Sequence, residues 1–125
     1  IDQCVGDTIC AGGIMYGQRN IPVILDFCKD IKKYAKKNAL FLNYANPMAM
    51  NTWAANEIGK VNTIGLCHGV QGGAKLIEDS LNIPFNKMKY SCSGINHMTW
   101  NLDLKYKGKK ITKDLFQDLK EWKES

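Results

Sequence analysis

With 125 residues, 45% of them hydrophobic, the chain holds enough apolar material for a folded core, which excludes a disordered or low-complexity protein. Five cysteines, at positions 4, 10, 28, 67 and 92, form no closely spaced framework and their odd count leaves one unpaired; a disulfide scaffold is excluded and a reducing, cytoplasmic setting is expected. The net charge of +5 is modest, and no apolar run approaches the length of a membrane span.

The segment 6–13 is small, polar and rich in glycine, and reads as a loop. It is not a Gly-x-Gly-x-x-Gly dinucleotide fingerprint, and no strong strand feeds it. From about 18 to 36 the apolar residues Ile24, Phe27, Cys28, Ile31, Tyr34 and Ala35 recur at three- and four-residue steps, which predicts an amphipathic helix. Proline is tolerated in a helix only near the first turn, so the regular helix is expected to begin close to Pro22. Lys29, Lys32, Lys33, Lys36 and Lys37 on this helix read as a solvated face.

Residues 39–44 read as a short buried strand, followed by a helix from Asn46 and Pro47 to about Ile58, with Asn46 as its cap, Pro47 in its first position and Gly59 ending it. A strand over 61–66 and a helix over 70–81 come next, and the strand–helix–strand–helix order predicts adjacent parallel strands. After Pro84 the pattern changes: residues 88–93 and 99–106 alternate in character and read as antiparallel strands. Lys105, Lys107, Lys109, Lys110 and Lys113 surround a predicted hairpin turn, where Tyr106 is the lone interleaved aromatic, so a nucleic-acid interface is not expected. Leu115, Phe116, Leu119 and Trp122 give a final helix an apolar stripe, with Thr112 as its cap. The chain thus reads as the end of a doubly wound α/β unit, residues 1–83, followed by the start of an α+β unit, residues 84–125. Two parallel strands make a poor sheet, and a fragment of a larger protein is expected.

Two residues carry the chemistry. Cys67 ends the apolar run 62–66, which places a thiol at a strand's carboxyl end, where ligands of open α/β sheets collect. His97, in 94–98, sits at the predicted start of another strand. Ligands from two separate elements could meet one metal, although a free cysteine is also among the residues most often buried, and a histidine beside apolar neighbours is often a core residue. With no Cys-x-x-Cys, no His-Glu-x-x-His and no closely spaced ligand cluster, a closed structural zinc site is not expected.

The blocks 42–51 (LNYANPMAMN), 65–72 (GLCHGVQG) and 94–98 (GINHM) together resemble glycoside hydrolase family 4, closest to its α-galactosidase and α-glucosidase branch. Gly12, Gly13 and Ile14, with Arg19 and Pro22 after them, look like that family's loop and helix entry, and the likeness runs to about Ile111. The resemblance implies a Rossmann-like sheet followed by a lactate dehydrogenase-like C-terminal domain. It further implies cleavage of glycosides with NAD and a divalent metal, usually manganese, outside the two-carboxylate scheme. Hydride leaves C3 of the sugar, the C2 proton is lost, the leaving group is eliminated, water adds at C1 and C3 is restored. The glycine-rich NAD-binding turn and the segment that supplies the C2 base lie outside this sequence, so the isolated chain is expected to be inactive.

The resemblance assigns roles residue by residue. Cys67 and His97 match the metal ligands, a choice that thiolate and imidazole chemistry supports. Asn46 matches an asparagine between cofactor and sugar, in contact with both. His68 matches the position where some members carry an aspartate general acid; histidine can serve there near neutral pH. Asn96, Arg19 and, more distantly, Asp7 are further pocket candidates. The expected ligand is a small glycoside, an α-galactoside first and an α-glucoside or α-galacturonide next, with no nucleic acid or membrane partner and a homo-oligomer when intact. Two other readings are a hydroxy-acid dehydrogenase of the same fold, which has no use for a strand-end thiol, and a non-catalytic sugar-binding fragment.

Overall fold

The computed structural model describes residue 6 and residues 8–111. Asp7 and the predicted C-terminal helix lie outside the described residues. The chain forms two compact units, the first running to Cys67 and the second beginning at His68.

In the first unit α1 (Cys10–Tyr34), β1 (Phe41–Asn43), α2 (Met48–Glu57) and β2 (Thr63–Gly65) follow in order. The strands pair in parallel, as the element order predicts, with Phe41, Leu42 and Asn43 opposite Thr63, Ile64 and Gly65. Each is shorter than its apolar run, because a ladder extends only as far as both partners continue. Its last rungs are Phe41 N–H to the Asn62 carbonyl and Leu66 N–H to the Asn43 carbonyl, both 2.9 Å. Ile24 and Cys28 of α1 pack with Ala55 and Val61, and Ile31 and Phe41 close around them. The other sheet face, with Leu40, Leu42, Ile64 and Leu66, is exposed. Parallel sheets ordinarily carry cover on both faces.

The helix start differs from expectation: α1 begins at Cys10, well before Pro22, and takes in residues 10–13 of the expected loop. The glycines there serve close packing. A Cβ on Gly13 would come within 2.8 Å of the Thr8 carbonyl oxygen, and one on Gly17 within 2.9 Å of Met50 Sδ on α2. Helix propensity, about 1 kcal/mol against each glycine relative to alanine, yields to that packing. Pro22 is tolerated because it and Gln18, whose carbonyl loses its N–H partner, both lie on the exposed side of the helix, where water can replace the bond.

Gly59 also has a different function from the one its spacing suggests. It does follow the end of α2, but the left-handed residue there is Lys60 (φ 51°). A Cβ on Gly59 would stand 2.6 Å from Cys28 Sγ and 2.7 Å from the Ala55 carbonyl oxygen. Cys28 is fully buried, and burial pushes its thiol above the ordinary value, with Lys32 opposing the shift. It is a packing thiol, protonated at neutral pH. The other described cysteines, Cys10, Cys67 and Cys92, form no disulfide among the described residues.

The second unit holds α3 (Gly69–Leu81), a single 3-10 turn (Phe85–Lys87) and the antiparallel strands β3 (Met88–Ile95), β4 (Met98–Tyr106) and β5 (Lys109–Lys110). Its core is Ile77, Met88 and Leu104, with Leu81, Ile83, Phe85, Tyr90 and Ile111 around them. Asn82 ends α3 in the left-handed conformation (φ 49°), which asparagine adopts more readily than most residues. Lys107 and Gly108 (φ 48° and 79°) make the tight turn between β4 and β5, at the position the lysine-rich segment suggests. Among the described residues no helix is long and apolar enough to cross a membrane.

Candidate active site

Parallel register sets the carboxyl ends of β1 and β2 side by side, with Asn43 opposite Gly65. From this one edge leave the loop that carries Asn46 and the segment that carries Cys67. A side chain on residue 65 would run into Met48 and Thr52 of α2, so Gly65 lets that helix lie over the strand's end. Cys67 is half-buried two residues beyond β2.

Asn46 does not cap α2. The cap position is Pro47, with φ −71° and ψ 110°, and no side chain closes the helix end. The reason lies in three asparagines that sequence reasoning missed. Asn43, at the end of β1, donates from Nδ2 to the carbonyls of Ala45 (3.4 Å) and Met48 (3.2 Å) and to Thr52 Oγ1 (3.1 Å), while its Oδ1 accepts from Ala45 N–H (3.1 Å). Asn51, inside α2, donates to the same Ala45 carbonyl at 3.3 Å. Asn20 of α1 donates to the Asn46 carbonyl at 2.6 Å. The loop is therefore held by side-chain amides, and among the described residues the Asn46 side chain makes no hydrogen bond.

His68 begins α3: its carbonyl accepts from Gly72 N–H at 2.8 Å, and its exposed side chain makes no capping bond. Asn96 and His97 form the two-residue connection between Ile95 and Met98, so His97 sits in a hairpin turn rather than in the first residue of a strand. His97 has φ 62°. For a residue with a Cβ this conformation costs roughly 1–2 kcal/mol, and such strain gathers where function requires it. Gly94 of the same block has φ 134°, and a Cβ there would collide with the backbone of Met98 and Thr99. Asn96 Oδ1 is buried without a hydrogen-bond partner among the described residues. Arg19 is exposed on α1 and lines a cavity of about 210 Å³ with Gly12, Met15 and Tyr16. The structure thus gathers Asn46 and Cys67 at one sheet edge, and carries His68, Asn96 and His97 in the second unit.

The sequence profile described as family 4 glycosyl hydrolase matches residues 1–83, two thirds of the chain. The chain belongs to family 4 of the glycosyl hydrolases. Similar to this family 4 chain is an α-galactosidase of Rhizobium meliloti (strain 1021), 67% identical over 114 residues that make up 91% of this chain and 23% of that protein. An α-galactosidase of Bacillus subtilis (strain 168) is 39% identical over 118 residues, 94% of this chain and 26% of that one. The chain thus spans about a quarter of the length of the curated relatives it matches. Its fold is that of a 6-phospho-α-glucosidase from gut microorganisms, solved in complex with NAD and Mn²⁺ (TM-score 0.79, 23% identity, 93% of this chain and 27% of that one).

The donor chemistry of this family 4 segment can be compared with what a metal requires. Among the described residues no three histidine, cysteine, aspartate or glutamate side chains cluster, so no all-protein cage is built there. Cys67, a thiol beyond a strand's carboxyl end in the first unit, and His97, an imidazole on a turn in the second, are each a donor of a kind that suits a borderline transition ion.

Proposed function

We propose that this chain is a segment of a glycosidase that acts on α-galactosides, with α-glucosides and α-galacturonides as the next substrates in order, and that uses NAD and a divalent transition metal such as Mn²⁺. The observation that carries the substrate class is the 67% identity to an α-galactosidase across nearly the whole chain. NAD and metal use rests on these two donors and on the family 4 motifs, and agrees with the ligands of the structural neighbour. Family membership favours this reading over a hydroxy-acid dehydrogenase.

When bound, the two groups supply hydride acceptance from the sugar and Lewis-acid polarisation of its oxygens. The chain's own residues do the rest. Cys67 and His97 hold the metal. Asn46 presents an amide that donates to and accepts from sugar hydroxyls, and sits between sugar and cofactor. His68, at the exposed start of α3, gives a proton to the departing oxygen. Asn96 and Arg19 complete the polar contacts to substrate. We assign residues 1–83 to the last part of the NAD-binding domain and 84–125 to the first part of the substrate domain. We place the intact enzyme in the cytoplasm as a homo-oligomer.

The test is removal and restoration. Full-length enzyme passed through chelator and desalted should lose cleavage of an aryl α-galactoside and recover it only when both NAD and Mn²⁺ return. Full activity without either would refute the reading. For the acid role, His68→Asn should slow alkyl galactosides by about 10²- to 10⁴-fold, the usual size of general-acid assistance. Nitrophenyl galactosides, whose leaving group needs little protonation, should be nearly unaffected; equal slowing of both would instead assign His68 to positioning.

A further inference from the structure

We propose that Asn20, Asn43 and Asn51 are positioning residues, a clamp that fixes the direction of the Asn46 side chain; the proposal rests on the reading of Asn46 as a substrate contact. Cβ direction at any residue is set by the two peptide planes that flank its Cα. At Asn46 both planes are held. The preceding plane is fixed through the Ala45 carbonyl, which accepts from Asn43 Nδ2 and Asn51 Nδ2 at 3.4 and 3.3 Å. The following plane is fixed through the Asn46 carbonyl, which accepts from Asn20 Nδ2 at 2.6 Å. Asn43 Oδ1 also accepts from Ala45 N–H, so that residue is gripped at both its N–H and its carbonyl.

The donors come from three elements, α1, β1 and α2, so the loop's conformation is set by the unit's framework rather than by the loop itself. Asn43 and Asn51 are 3% and 0% exposed, so water does not compete for these bonds. The Asn46 amide at the centre of the clamp makes no hydrogen bond of its own among the described residues.

A purely structural role for the clamp fits the chemistry poorly at one point. Asn51 is wholly enclosed, yet among the described residues its Oδ1 has no partner, a cost to stability that an apolar side chain would not carry. It is also a weak helix former in the interior of α2. Local rules broken without a gain in stability are the mark of a functional position.

The test uses the full-length enzyme and a double-mutant cycle. Asn51→Leu should lower kcat about 10- to 100-fold, the usual effect of a small misplacement of a contacting group, with little change in KM. In an Asn46→Ala background the same substitution should change kcat less than about twofold, because the residue it acts through is gone. Asn20→Ala, on the partly exposed surface of α1, removes only the bond to the Asn46 carbonyl and should show the same coupling if Asn51→Leu does not fold. A lower melting temperature with unchanged kcat would make the clamp merely structural and overturn the proposal, as would an undiminished effect in the Asn46→Ala background. If Asn46→Ala alone leaves kcat/KM intact, the substrate-contact reading fails and takes the proposal with it; if Asn46→Ala is damaging but the clamp variants are not, only the proposal fails.

Discussion

Replacing Cys67 with serine, or His97 with asparagine, in the full-length enzyme is expected to lower manganese affinity by more than the roughly 10- to 100-fold that loss of an outer-shell partner typically costs. Each variant removes one of the two proposed donors, and a serine hydroxyl at neutral pH does not replace a thiolate. Neither change should unfold the protein. Cys67 lies beyond the end of β2 and outside both apolar cores. Asparagine is better suited than histidine to φ 62°, so His97→Asn should leave stability unchanged or raise it by about 1 kcal/mol or less. A variant that is as stable as the parent but no longer binds the ion would show that the strained turn serves the metal. Titration with Mn²⁺, followed by the loss of the free-ion electron paramagnetic resonance signal, is the measurement; an unchanged titration in either variant would remove that residue from the ligand set.

The periodicity of Ile24, Cys28 and Ile31 was enough to place the body of α1, and the element order was enough to make β1 and β2 parallel, because both signals are local and repeated. Glycines misled the reading. Gly13 and Gly59 look like loop and cap residues, yet their absence of a side chain, like that of Gly17, is used for close approach, to Thr8, Cys28 and Met50 respectively, contacts that no spacing rule reveals. The same limit applies to the site. Cys67 stands out because a thiol after a buried strand is unusual, whereas the turn geometry of His97 depends on the register between β3 and β4. Asn20, Asn43 and Asn51 were invisible because asparagine is ordinarily a cap or turn residue. Their acceptors, backbone carbonyls and the Thr52 hydroxyl, lie up to 26 positions away. An inward-facing asparagine at the end of a strand, as at 43, is the one sign that could have drawn attention to them.

In the proposed mechanism the intact enzyme cleaves glycosides by oxidation and elimination rather than by displacement at C1. The two routes differ at one bond. Elimination across C1 and C2 requires that the C2 proton leave and that a proton return from solvent, whereas displacement leaves C2–H untouched. A metal held by Cys67 and His97, as proposed, would serve the first route by binding sugar oxygens next to that carbon. The decisive measurement is turnover of an α-galactoside in deuterium oxide, with the released galactose analysed by proton magnetic resonance. The account predicts deuterium at C2 of the product; galactose formed in deuterium oxide with its C2 hydrogen fully retained would contradict it.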